Sequence, residues 1–256
     1  MARDGDERLA SIIYLAAQSD FADAGELSAF ISESEVSFLE DLMWEQGFLD
    51  ARQMAGAFRL LRSSDLIWSR MVREYLMGER PKMFDLMAWN ADTTRMPYRM
   101  HSEYLRRLCL ESRLPAGKYE VEGRPVALTD IRAPIFAVGT ETDHVAPWRS
   151  VYKVHILSDT DVTFVLTNGG HNAGVVSEPG HPRRRYRVRT DRHGDPYLPP
   201  EEWVKRAEER QGSWWPEWIA WLAGHSGEPV APPPMGGAGA DPERLPDAPG
   251  SYVMME

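Results

Sequence analysis

Two uninterrupted apolar runs set the strongest limit on what this chain can fold into. Ala133-Pro134-Ile135-Phe136-Ala137-Val138-Gly139-Thr140 and Val162-Thr163-Phe164-Val165-Leu166 show no polar alternation, and each runs into a turn rich in Gly, Asp or Asn. Strands of this kind are covered on both faces, as in a parallel sheet, whereas an antiparallel sheet with one wet face alternates. Parallel neighbours need a crossover, and the stretch from Trp148 to Leu157 between the two runs has the length of a helix, so a βαβ unit is predicted. Ser11 to Ala17 is a third run of the same type.

More than a hundred residues of mainly helical pattern separate the first run from the second. Apolar residues recur at three- and four-residue spacings over Glu35–Trp44, Gln53–Leu61 and Asp65–Met77. In the last of these, Leu66, Ile67, Met71, Val72, Tyr75 and Leu76 share a face, and Gly78 supplies a stop. Pro97–Leu110 gives another helix, and Gly117–Val126 alternates like a short hairpin. An insertion of this size between sheet strands reads as a cap or lid. Helices are predicted over Glu201–Glu209 and Trp214–Leu222, and the Pro- and Gly-rich Pro229–Gly239 stretch reads as a linker. No internal repeat is visible.

Three strands are too few for a doubly wound sheet, which usually holds about five or six. The chain therefore reads as the second part of an α/β domain. The layout predicted is one strand of core over 1–20, a helical cap over 21–116, further core over 117–225 and a linker with tail over 226–256. The free edge of the first strand predicts aggregation or tight association when the chain is expressed alone.

Composition narrows the function classes. Lys and Arg number 29 against 39 Asp and Glu, a net charge of −10, which argues against broad nucleic-acid binding. No run of about 18 apolar residues occurs, so no transmembrane helix is predicted. The first residues hold no apolar signal core, and a cytoplasmic location is expected. With one cysteine, Cys109, neither an internal disulfide nor a cysteine-rich metal site can form, and no metal is expected.

The chemistry is expected at two loops. Asp143 follows the second run, in Gly139-Thr140-Glu141-Thr142-Asp143-His144-Val145-Ala146-Pro147-Trp148. His171 follows the third, in Asn168-Gly169-Gly170-His171-Asn172-Ala173-Gly174-Val175. Active sites of open α/β sheets lie outside the carboxyl ends of the strands. An acid after one strand and a histidine after the next follows the acid-then-base order of an α/β-hydrolase triad. There the imidazole takes a proton from a nucleophile while the carboxylate fixes its tautomer and stabilises the imidazolium. The competing reading is that Asp143 and His171 merely cap their turns. His144 by itself reads as a packed or capping residue. A nucleophile is missing: no G-x-S-x-G or G-x-C-x-G elbow occurs, and Cys109 lies within a helical apolar pattern, where a buried thiol is inert.

At this point the motifs carry a resemblance. Phe84-Asp85-Leu86-Met87-Ala88-Trp89-Asn90-Ala91-Asp92-Thr93-Thr94 resembles the F-D-L-x-x-W-N-x-D-x-T motif of polyhydroxyalkanoate synthases of class I type. Leu60–Trp68, Asp143–Trp148, Gly170–Val175, Gly212–Trp218 and Ala248–Val253 resemble further segments of that family, in the same order. Departures occur at Ser63-Ser64, Ala146 and Ser177-Glu178-Pro179, all peripheral to proton chemistry.

The resemblance implies an α/β-hydrolase fold, incomplete at its N-terminal side, with the nucleophile elbow, the oxyanion-hole loop and the first strands absent. It implies polymerisation of (R)-3-hydroxyacyl-CoA into polyester by covalent catalysis on an elbow cysteine. Asp143 then corresponds to the acid, His171 to the base and His144 to a supporting neighbour, while Cys109 stands where the family has an aromatic residue. Taken alone the chain is expected to be inactive. Its implied partners are the acyl-CoA, the polyester chain, and a missing N-terminal half or a second synthase subunit. Coenzyme A enters as substrate thioester, with no resident cofactor, and a granule-surface location is compatible with all of this. A different reading is a non-catalytic protein that binds the synthase or the granule and is completed by a partner chain; a gene fragment or a mis-called start is a third.

Two features remain. Arg183, Arg184 and Arg185 open an arginine-rich run through Arg189 that could attract coenzyme A phosphates, although a solvated basic hairpin is the simpler reading. Trp214, Trp215, Trp218 and Trp221 sit at spacings that place them on a helix face packed against the core, in preference to a polymer contact.

Overall fold

The structure is a computed structural model that describes residues 1–50, 53–56, 60, 63–79, 89 and 95–233. The chain divides into two units, one of residues 1–42 and 99–226 and the other of 43–98 and 227–256.

The first unit is built on one five-stranded sheet. Its strands are β1 (Ile12–Leu15), β6 (Ile135–Thr140), β7 (Val162–Thr167), β8 (Arg185–Asp191) and β9 (Glu208–Gln211), adjacent in that order. β1 pairs parallel with β6, and β6 with β7 from Ile135↔Val162 to Thr140↔Thr167. β8 runs antiparallel between β7 and β9, so four of the five strands point the same way.

All residues of β6 and β7 are buried, as their unbroken apolar sequences require. β1 is only partly covered and has a strand neighbour on one side alone among the described residues. The connection from β6 to β7 is two short helices, α4 (Trp148–Tyr152) and α5 (Val154–Leu157), where one was predicted. Ser158 then returns to extended backbone.

The two faces of this sheet carry separate cores. On one, Tyr152, Phe164 and the fully buried Trp203 of α7 (Pro200–Arg206) pack edge to face, joined by Ile135, Ala137 and Trp148. On the other, Phe136, Val138 and Val165 lie under Trp214 and α8 (Trp215–Gly224), whose Trp215, Trp218 and Trp221 complete the layer. The tryptophan spacing thus marks a core-facing helix.

Two sequence expectations are corrected. The sheet has five strands, because the arginine run is β8 and not a solvated hairpin. Arg185 meets Glu141 and Glu209, Arg187 meets Glu209, and Arg189 meets Asp191, so the charges are paired at the strand edges while Tyr186 and Val188 face inward. The helix expected over Glu201–Glu209 ends at Arg206, and Glu208 starts the edge strand β9. Charged side chains suit an edge strand, where they discourage pairing with another chain.

The remaining elements of this unit are short. The hairpin of β4 (Tyr119–Val121) and β5 (Arg124–Val126) forms as predicted and is held by Arg3, whose Nη1 donates to the carbonyls of Val121 and Arg124. Helix α1 (Glu33–Gln46) opens on a serine cap: the Ser32 hydroxyl accepts from Glu35 N and donates to the Glu35 carboxylate. Arg106, from the helix over 98–110 (α3), donates to Glu33 and Glu40 of α1.

In the second unit, β2 (Phe48–Leu49) pairs antiparallel with β3 (Met96–Pro97), and Met43 and Leu49 are buried. The predicted Asp65–Met77 helix is present over 64–76 (α2), widened into i→i+5 turns at both ends. Gly78, at φ +70°, terminates it in the left-handed conformation that glycine adopts at no steric cost. Met71, Val72, Tyr75 and Leu76 of this helix are exposed. The Phe84–Thr94 motif lies outside the described residues except for Trp89, as does the stretch beyond 233.

Candidate active site

The carboxyl ends of β6 and β7 lie side by side, and the two loops that leave them are hydrogen-bonded to each other. Glu141 N donates to Thr167 O, and Thr142 N to Gly169 O. This brings Asp143 against His171, the first residue of a one-turn helix, α6 (His171–Val175). The His171 Nδ1–Asp143 Oδ2 distance is 2.9 Å. The Asp143 side chain is fully buried and that of His171 is 35% exposed, so the acid sits behind the base and the imidazole faces outward.

Asp143 is saturated. Oδ1 accepts from the backbone N–H groups of Val145 and Ala146, both at 2.8 Å, and Oδ2 accepts from the Thr140 hydroxyl at 3.2 Å as well as from His171. It therefore does cap its own turn, as the competing sequence reading held, and holds the imidazole too. Burial pushes its pKa up, but the His171 hydrogen bond, the two backbone N–H groups and the imidazole charge outweigh that and leave it below the ordinary carboxylate value. An ionised carboxylate can only accept, so Nδ1 carries a proton, and in the neutral imidazole Nε2 keeps the lone pair.

The depressed carboxylates set the acid limit of the fold. Asp191, paired with His155 and Arg189, is likewise held low against the opposing effect of burial. A carboxyl group that binds its proton less readily folded than unfolded adds stability above its unfolded pKa of about 4, and that stability is lost as pH falls through the folded value. Thermal melts should be flat from neutrality to about pH 5 and fall steeply below about pH 4. A melting temperature unchanged at pH 3 would contradict the pairing.

The other candidates are placed differently. His144 is half-buried, its carbonyl packs against Gly25, and its side chain makes no hydrogen bond or ion pair among the described residues. Arg183 is exposed, and Arg185 is committed to a bidentate pair with Glu141 at 2.7 and 2.8 Å. Arg184 lies along the loop before His171, with Nη1 3.4 Å from Asn168 O, and has no carboxylate partner among the described residues. Asn168 fixes this corner by donating to Arg183 O and accepting from Arg185 N.

Cys109 is half-buried in α3, and burial pushes its thiol up to about 11. The folded chain should consume almost no iodoacetamide at pH 8, and denaturation should release one reactive thiol. Rapid alkylation of the folded chain would reopen Cys109 as a nucleophile. Among the described residues no group of three or more His, Cys, Asp or Glu is arranged to hold a metal, and no helix is long and apolar enough to cross a membrane. Thr140 escaped sequence reasoning. Its only signal was its place three residues before the acid, at the end of a strand.

A mostly parallel sheet that opens its strand ends onto a buried carboxylate and an outward imidazole is compatible with the α/β-hydrolase class. Whole-chain comparison identifies the lineage. The chain is 42% identical over 252 residues to the poly(3-hydroxyalkanoate) polymerase subunit PhaC of Rhizobium meliloti, which covers 98% of this chain and 40% of that protein. It is 41% identical over 256 residues to the poly(3-hydroxyalkanoate) polymerase of Methylorubrum extorquens, covering 100% and 41%, and 36% identical over 261 residues to PhaC of Cupriavidus necator, covering 99% and 43%. No family model matches. The chain is thus similar over its whole length to poly(3-hydroxyalkanoate) polymerases, and it spans about two fifths of the length of the curated relatives it matches.

Proposed function

We propose that this chain supplies the acid and base of a polyhydroxyalkanoate synthase, with Asp143 as the acid and His171 as the base. The observation that carries this reading is the 2.9 Å bond between them at the ends of neighbouring parallel strands. In the proposed reaction His171 Nε2 takes the proton of a cysteine thiol supplied from outside these residues. The thiolate attacks the thioester carbonyl of a 3-hydroxyacyl-CoA, the carbon–sulfur bond to coenzyme A breaks, and the imidazolium returns its proton to the departing thiolate. In the next half-reaction the base takes the proton of a 3-hydroxyl group. That oxygen attacks the acyl-enzyme, an ester bond forms, and the cysteine leaves and regains its proton. Asp143 stabilises the imidazolium in both halves.

Arg184 is the arginine of the run best placed to take a phosphate of coenzyme A, since it is partly buried and free of a carboxylate partner while Arg185 is neutralised. His144 supports the acid loop through its backbone contact with Gly25.

Thiol release from 3-hydroxybutyryl-CoA tests the reading. The chain alone should release none, and release should appear when it is joined to a segment carrying a G-x-C-x-G elbow. His171→Ala should abolish that release, whereas Cys109→Ala should leave it intact. Release by the chain alone that is lost with Cys109→Ala would overturn the assignment.

A further inference from the structure

Glycine within a helix is less favourable than alanine, so one that is buried in helical conformation calls for a steric reason. Gly174 lies in α6, three residues after His171, and is buried with no positive φ. A Cβ there would come 2.5 Å from Cγ2 and 2.8 Å from Cβ of Thr140, well inside ordinary carbon–carbon contact of about 3.5–4.0 Å. Thr140, the last residue of β6, is completely buried, and its hydroxyl donates to Asp143 Oδ2, the oxygen that also accepts from His171. One side chain thus touches the acid with its hydroxyl and the helix of the base with its methyl group.

The carbonyls at the end of that helix are also held. The buried Trp214 donates from Nε1 to Gly174 O at 3.1 Å, Trp215 donates from Nε1 to Val175 O at 3.0 Å, and the Ser213 hydroxyl donates to Ser177 O. Three successive residues therefore anchor the end of α6 and the backbone just beyond it, while Thr140 stands against Gly174.

We propose that Thr140 and Gly174 form a spacer that sets the approach of His171 to Asp143, with Trp214 and Trp215 holding the helix against it. Both are positioning residues: neither needs to touch substrate, and each acts through the acid or the base. The proposal rests on the reading of Asp143 and His171 as an acid–base pair, but its geometry can be measured in the chain by itself.

The readout is the Nδ1–H resonance of His171 in the histidine-labelled chain, which reports a proton held by Asp143. Gly174→Ala should lose that resonance, because the helix must move off Thr140. Thr140→Ser, which keeps the hydroxyl and removes the methyl, should retain it. The double variant Gly174→Ala with Thr140→Ser should recover at least part of it, whether or not Gly174→Ala alone folds fully. A resonance that survives in folded Gly174→Ala, a double variant with no recovery, or a parent chain with no such resonance would each overturn the spacer. Turnover is read separately in the elbow-joined enzyme. There, a variant pattern that follows the spacer but a rate indifferent to His171 would sink the catalytic reading and leave the spacer standing.

Discussion

Asp143→Asn should lower acyl transfer by roughly four orders of magnitude, the loss that follows when the carboxylate of a nucleophile–base–acid triad becomes an amide. The physical reason lies in the four donors that surround this side chain. Two backbone N–H groups on Oδ1 will hold the asparagine carbonyl oxygen in that place, which turns its NH2 group toward His171. That group can only donate to Nδ1, so the imidazole proton moves to Nε2, the atom that must accept a proton from the nucleophile. The Thr140 hydroxyl would also lose its acceptor. The measurement is kcat for thiol release by the elbow-joined enzyme, with KM little changed, because the lost interaction strengthens only as the imidazolium forms. A rate within a few-fold of the parent would remove Asp143 from the reaction.

The largest effect on stability is expected in the aromatic core on one face of the same sheet. Trp203 is fully buried, with ring centroids 5.1 Å from Phe164 and 5.8 Å from Tyr152. Trp203→Ala leaves a large void among aromatic rings that cannot collapse together, at a cost of about 3–5 kcal/mol. At this domain size each kcal/mol moves the melting temperature by roughly 2–4 °C, so a fall of about 10 °C is expected in a thermal melt at pH 7. Val230, 86% exposed, is the control, and Val230→Ala should change stability by less than about 0.5 kcal/mol. Equal melting of the two variants would show that α7 does not pack as described.

The parts legible in advance are those whose information is local. β6 and β7 announced themselves because a strand covered on both faces has no polar position to interrupt it. Gly78 marked the end of α2, and the Gly117–Val126 alternation marked a hairpin, for the same reason: the backbone demand falls on the residues themselves. Asp143 and His171 were found from their places just after two buried strands, which is where a parallel sheet exposes its loops.

What was missed depended on partners distant in the chain. The run from Arg185 to Asp191 looks like a solvated segment until Glu141 and Glu209 are brought to its charges and Val165 to its apolar side. Glu208–Gln211 carries no apolar signal, and only the free edge of β8 makes it a strand. The exposed face of α2 shows the reverse case, in which a clear helical periodicity did not by itself secure burial.

Residue type and order alone determined that this chain builds a buried parallel pair of strands and places an acid and a histidine after them, because side-chain hydrophobicity and turn chemistry act over a few residues. Only the tertiary structure decided that the acid and base meet at hydrogen-bonding distance, that β8 closes beside β7, and that Thr140 stands against Gly174. Those outcomes depend on packing between segments tens of residues apart, where the same local sequence is compatible with several neighbours and the three-dimensional fit selects one.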